Sequence, residues 1–442
     1  MTTLAQTGFA VASAVVSRGA PLVAVLVAAR LLSPEQFGGF AVAMAVHNLL
    51  GALVSGGGDL WLNRFTWRPF AKGHWAAAVR YRYLEICLAI AGIVAVFTLI
   101  AAFLPAFGDW RALAMAVGLS ACIVGLSEVL FAILRSAGQV VPFFLLRDLV
   151  GPILFVLMLL LIAPQTASAA VLLLPAAVAL PVAVTVFFVR TKGLMSGGRQ
   201  NAQRICAGQR LRRLLRHTGV LLVGNLMSRL AGTIDVYVLG ALVSAAVIGE
   251  YRVAGQLALG FLVVQHFVFL GLPWQMRRYG TAEEIAARRA EVRKRYLLLL
   301  GASSLALVAL LVVSEPLLAL FGPRFVAVQS IFGLLLAVRY LNLLWGPQHQ
   351  MLVSNGHIMK DALAFFVTLL VWLGVFALFA QVADLMYAAV VGHAAASLAG
   401  HYYRHRLLLG FGIMPLVTAK PMVFAIAASY PIVAGAALYL AP

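Results

Sequence analysis

The chain has 442 residues, of which 63% are hydrophobic and only 11% charged, with a mean hydropathy of +1.00. No soluble domain of this size needs so much apolar sequence, and the apolar runs are too long and too uniform for the alternating strands of a membrane barrel. The formal net charge of +19 does not point to nucleic acid, because the basic residues lie between apolar runs. There they read as topology signals and as contacts for anionic phospholipid headgroups.

A helix needs about 20 apolar residues to cross the hydrocarbon layer, and its backbone groups must be satisfied internally there. The sequence predicts thirteen such spans: 9–30, 37–60, 83–104, 110–134, 142–163, 169–190, 218–240, 247–271, 296–320, 325–352, 361–380, 382–402 and 420–440. The last has Pro415, Lys420 and Pro421 near its start. The first has no basic stretch before it and no small-residue cleavage site, so it reads as a span and not as a cleaved signal. With the N-terminus in the cytoplasm, 26 of the 33 lysines and arginines fall in inner connections. Arg30, Arg111 and Arg324 fall in outer ones; Arg18, Arg229, Arg252 and Arg339 fall within spans.

The predicted domains are a six-helix lobe at 1–190, a basic cytoplasmic linker at 191–217, a second six-helix lobe at 218–402, and an extension at 403–442 that holds the thirteenth span. Within the linker, Arg210-Leu-Arg-Arg-Leu-Leu-Arg216 reads as an amphipathic helix on the inner leaflet. Glu283–Tyr296 reads as a second surface helix, acidic at its start and basic at its end as the helix dipole favours.

An internal repeat supports the two lobes. Ser17–Phe40, SRGAPLVAVLVAARLLSPEQFGGF, returns 211 residues later at Ser228–Tyr251, SRLAGTIDVYVLGALVSAAVIGEY. Arg18 overlays Arg229, Ser33 overlays Ser244, and Gly38 overlays Gly249. Leu134–Gln139 returns as Leu352–His357 at an offset of 218, with a glycine placed to cap a helix C-terminus. Six spans separate equivalent positions, so the halves are parallel repeats about an axis normal to the membrane.

Arginine near mid-membrane costs about 2.5–3.5 kcal/mol on insertion scales. Arg18 and Arg229 lie about ten residues into their spans, too deep for easy snorkelling. Facing a wet cavity they would hold an anion, since a guanidinium binds phosphate oxygens in pairs. The other reading is a structural ion network, for example with Asp235. Arg339 is a third candidate for substrate contact. Asp235, Glu128 and Asp59 are candidates for ion coupling, because carboxylates buried in membrane spans exchange protons. Asp59 follows three glycines and has a local capping role as its alternative. His47 and His266 lie in spans, and most of the tryptophans, Trp345 among them, lie near span ends as interfacial anchors do. Cys87, Cys122 and Cys206 have no metal-ligand spacing. No Walker, nucleophile-elbow, zincin or dinucleotide motif appears, so the chain reads as a non-enzyme without cofactor.

The opening hairpin RLLSPEQFGGFAVAMAV, Arg30–Val46, resembles that of bacterial polysaccharide flippases for O-antigen and exopolysaccharide. These belong to the multidrug/oligosaccharidyl-lipid/polysaccharide exporter (MOP) superfamily. The resemblance continues at Gly240–Ala254, Pro316–Pro323 and Ser354-Asn-Gly356. It implies an all-α polytopic membrane protein of two parallel six-helix bundles, like the MATE transporters, in the bacterial inner membrane. It further implies flipping of undecaprenyl-diphosphate-linked oligosaccharide, with a proton or sodium gradient or the membrane potential as drive. A polysaccharide polymerase and glycosyltransferases are the partners such a role would bring. The alternative is an ion-coupled multidrug or small-molecule antiporter of the same superfamily.

Overall fold

In the computed structural model the described residues are 22–56, 74–103, 111–136, 150–162, 209–261 and 282–413, with Gly19 and Ala179. They are helical almost throughout. In chain order the helices are α1 (Leu22–Leu31), α2 (Pro34–Ser55), α3 (His74–Phe103), α4 (Arg111–Ser136), α5 (Gly151–Ile162), α6 (Gln209–Leu242) and α7 (Ala245–Gly260). Then come α8 (Ala282–Val312), α9 (Ser314–Ala319), a 3-10 turn (Pro323–Val328), α10 (Gln329–Leu344), α11 (Gln348–Ser354), α12 (Ile358–Phe379) and α13 (Leu385–Gly410). Seven spans among the described residues are long and apolar enough to cross a membrane, one of them running from Pro323 to Val353 through α10 and α11. The predicted spans 169–190 and 420–440 lie outside the described residues.

Helix ends bear out both repeats. α1 and α6 end at Leu31 and Leu242, and α2 and α7 begin at Pro34 and Ala245, each pair 211 residues apart. α4 and α11 end at Ser136 and Ser354, 218 apart. At the second of these ends Gly356 has φ +88°, and the His357 amide donates to Leu352 O at 2.9 Å. That is the left-handed glycine cap the sequence predicts.

Three boundaries differ from expectation. The basic segment Arg210–Arg216 is not a separate surface helix but the first two turns of the 34-residue α6. Likewise Glu283–Tyr296 is continuous with the apolar half of the 31-residue α8. At 1.5 Å per residue α8 is about 46 Å long, against about 30 Å of hydrocarbon, so its charged half projects beyond it. The span predicted at 325–352 is broken at Trp345-Gly346-Pro347. Gly346 takes φ +71° and donates its amide to Leu343 O at 3.0 Å, and the Tyr296 hydroxyl reaches both the Leu343 and Leu344 carbonyls, 2.8 Å each, at the end of the broken helix.

The chain forms two compact units: Gly39–Thr233, and Met1–Gly38 together with Ile234–Pro442. In the first, α2, α3 and α4 enclose Val54, Ala91, Val94 and Cys122. Gly125 lets α4 close on Val54 and on the Gly51 carbonyl. The outer face of α3 carries Ile93, Val96, Phe97, Ile100 and Phe103, all more than half exposed, as a lipid-facing stripe should be.

In the second unit the two repeated hairpins meet at their equivalent glycines. A Cβ at Gly38 would lie 1.6 Å from Ala245 O, and one at Gly249 would lie 3.5 Å from Pro34 O. The start of α2 thus lies against the start of α7 with no side chain between. Phe37 packs edge-on against Phe325, and Arg30 Nε donates to Leu320 O at 2.7 Å. Elsewhere α12 packs against α13. Trp372 of α12 lies over Gly392, and its indole donates to Ala389 O at 3.2 Å.

Candidate functional site: a buried charge centre

Asp235 lies seven residues before the end of α6, and His393 lies eight residues after the start of α13. The two side chains meet, although both residues are buried, at 8% and 9% exposure. Such a carboxylate survives only with compensation. One source is the Tyr251 hydroxyl of α7, which donates to Asp235 Oδ2 at 2.9 Å. A second is His393, whose Nε2 lies 3.0 Å from the same oxygen. That nitrogen is off the line of a hydrogen bond, so the contact has ion-pair distance without hydrogen-bond alignment. Asp235 Oδ1 has no partner among the described residues.

Two guanidiniums, Arg252 on α7 and Arg339 on α10, are close enough for their charges to act on Asp235. With the Gln256 carboxamide oxygen turned toward it, Arg252 donates from Nε at 3.2 Å and Nη2 at 2.5 Å. Arg339 Nε is buried without a partner among the described residues. Arg252, Arg339 and Asp235 together carry one surplus positive charge when His393 is neutral.

A second polar cluster gathers at the break between α10 and α11. Asp361 of α12 accepts from Arg404 Nε at 2.8 Å and lies 2.6 Å from His349 Nδ1. Both members of the Asp361–Arg404 pair are buried, whereas the His349 side chain is 39% exposed. His401 pairs with Gln348 at 3.2 Å and stacks on Trp345, centroids 5.8 Å apart. Trp345 is therefore not an interfacial anchor; it is 5% exposed and also touches His405.

Of the residues singled out from sequence, Asp235 and Arg339 come together here. Arg229 lies one and a half turns before Asp235 on α6, exposed, and forms no ion pair among the described residues. Glu128 is half-buried on α4, in the other unit. Arg18 and Asp59 lie outside the described residues. Sequence reasoning missed His393, His349, Asp361, His401 and Arg404. A signal was present: His393, Ser397, His401 and His405 recur every four residues, which places them on one helix face.

The comparisons agree on fold. The chain resembles in fold an inward-facing multidrug resistance MATE family transporter of the MOP superfamily, with TM-score 0.69 and 16% identity over 90% of this chain and 95% of that one. An outward-facing transporter of the same description gives 0.67 and 13%, over 92% and 96%. A MOP superfamily transporter from Pyrococcus furiosus, described as having a binding pocket of reverse polarity, gives 0.65 and 14%, over 92% and 96%. No curated protein matches. Residues 3–270 match the family described as polysaccharide biosynthesis protein. An all-α, multi-pass membrane chain with this match belongs to the polysaccharide biosynthesis protein family, and its fold is that of the MATE structures.

Proposed function

We propose that the protein is an ion-coupled antiporter in which Asp235 and His393 bind the coupling ion. The observation that carries this is a buried carboxylate held by an imidazole and a phenol from two other helices. An ion arriving there changes the attraction between α6 and α13, and with it the relative stability of their packing. That is what coupling requires: an ion that binds two arrangements with different free energy. The neighbours of Asp235 are titratable or cationic and include few oxygens, a set suited to a proton more than to a hard cation such as sodium.

The cargo has a second reading, lipid-diphosphate-linked oligosaccharide, favoured by the description of the matched family. The surplus positive charge of Arg252 and Arg339 also suits an anion, and exposed Arg229 would serve in its capture. In this reading the protein acts in polysaccharide synthesis in the inner membrane, beside a polymerase and glycosyltransferases. Under either reading the chain forms two six-helix lobes with the N-terminus in the cytoplasm and anionic phospholipid along its basic connections. The repeat of helix ends at offsets of 211 and 218 supports the lobes.

Proteoliposomes with an imposed pH gradient test the proposal and separate the cargoes. One set carries ethidium; the other carries a fluorescent undecaprenyl-diphosphate oligosaccharide. Gradient-driven movement of either supports coupling, and the cargo that moves decides the reading. Movement of neither, in protein that remains monodisperse, refutes it.

A further inference from the structure

We propose that the face of α13 bearing His393, Ser397, His401 and His405 is a proton path. It joins the Asp235 centre to the end of the unit where His349, Asp361 and Arg404 meet. The inference rests on Asp235 and His393 being the coupling pair, and adds how a proton reaches them.

The four residues stand one helical turn apart. Successive side chains on that face are about 6 Å apart along the axis, and the whole series covers about 18 Å. Each faces a polar group on a neighbouring helix. His393 meets Asp235. Ser397 bonds to Asn342 of α10. His401 meets Gln348 of α11, and His401 and His405 both lie against Trp345. Gln348 is the sequence neighbour of His349, whose side chain is the exposed member of the terminal cluster. A series of imidazoles therefore runs from a partly exposed histidine to a buried carboxylate.

Partnerless polar atoms mark the same seam. Six buried side-chain atoms without a hydrogen-bond partner among the described residues belong to it: Asp235 Oδ1, Arg339 Nε, Trp345 Nε1, His393 Nε2, Arg404 Nη2 and His405 Nδ1. Native proteins rarely leave such atoms bare, and ordered water is their usual partner. Water also fills the steps that imidazoles about 6 Å apart cannot bridge alone. Each imidazole takes a proton on one ring nitrogen and gives one from the other, so it ends neutral and no bond other than N–H or O–H changes.

The charges facing the path are opposed at its two ends. At the inner end of the series His393 sees Asp235, with Arg252 and Arg339 beyond and Tyr251 bonded to the same carboxylate. At the other end His401 sees Asp361 and His349 as well as Arg404 on its own helix, and His405 sees Arg406. An anionic carboxylate thus stands at each end of the series, Asp235 beside His393 and Asp361 in its ion pair with Arg404.

Trp372 supplies the readout, because its ring lies 5.9 Å from that of His393 and imidazolium quenches indole fluorescence. With the five tryptophans other than Trp345 and Trp372 changed to phenylalanine, and Trp345 emission subtracted with a Trp372→Phe control, the full chain in nanodiscs is titrated and then subjected to stopped-flow pH jumps. The expected result is a Trp372 transition that Asp235→Asn displaces toward acid. His401→Gln and Ser397→Ala leave its midpoint in place but slow its rise after the jump tenfold or more. Added imidazole restores the rate in His401→Ala. A displaced midpoint with unchanged rates in both path variants overturns the path and leaves the coupling pair standing. No transition, or one unmoved by Asp235→Asn, overturns the coupling pair itself.

Discussion

Alanine substitutions at Gly38 and Gly39 will act in opposite directions. Both residues lie in the first turns of α2, where replacing glycine by alanine gains up to about 1 kcal/mol of helix propensity. At Gly39 nothing lies within 4 Å of the added methyl, so the gain stands. At Gly38 the methyl would lie 1.6 Å from Ala245 O, 2.3 Å from its carbonyl carbon and 2.9 Å from its Cα. These are backbone atoms of another helix, with no rotamer to give way. Restoring ordinary contact at about 3.5 Å would move α2 and α7 apart by roughly 2 Å. Overpacking of this kind costs about 1–3 kcal/mol or more, which outweighs the propensity gain. Thermal unfolding of the detergent-solubilised protein, followed by size-exclusion fluorescence, should give a raised midpoint for Gly39→Ala and a lowered one for Gly38→Ala. Gly249→Ala should fall between them, since its methyl meets chiefly the movable ring of Phe37, at 2.8 Å. Equal shifts at Gly38 and Gly39 would refute the close helix crossing.

Arg404→Met leaves the buried Asp361 carboxylate with His349 as its remaining partner and should destabilise by about 3 kcal/mol, whereas Arg404→Met with Asp361→Leu should recover most of that in the same melt. Tyr296→Phe removes the side-chain donor at the break, where Leu343 O keeps the Gly346 amide; a loss of about 1–3 kcal/mol is expected, with faster amide exchange confined to α10 and α11.

The hairpins were legible because their turns are written locally. Ser33-Pro34 stops one helix and starts the next: Ser33 Oγ accepts from the Gln36 amide, and the Gln36 side chain accepts from the Ser33 amide. Asp235 and Arg339 were legible because a charge in an apolar run stands out. His393 was not, since a histidine series on an apolar helix does not say what it meets, and the residue His393 meets lies on another helix far away in the chain. The break at Trp345-Gly346-Pro347 was hidden by hydropathy that continues across it. The lengths of α6 and α8 were misjudged for a related reason. Helical hydrogen bonding does not stop where the hydrocarbon does, so a basic segment next to a span simply extends it.

The most direct test of the account measures cargo movement in proteoliposomes with and without a pH gradient of two units, for wild-type protein and Asp235→Asn. Whichever cargo proves to move, the gradient should speed wild-type transport at least tenfold and leave the Asp235→Asn rate the same in both conditions. An Asp235→Asn protein that still responds to the gradient as wild type does would contradict the assignment of coupling to this buried centre.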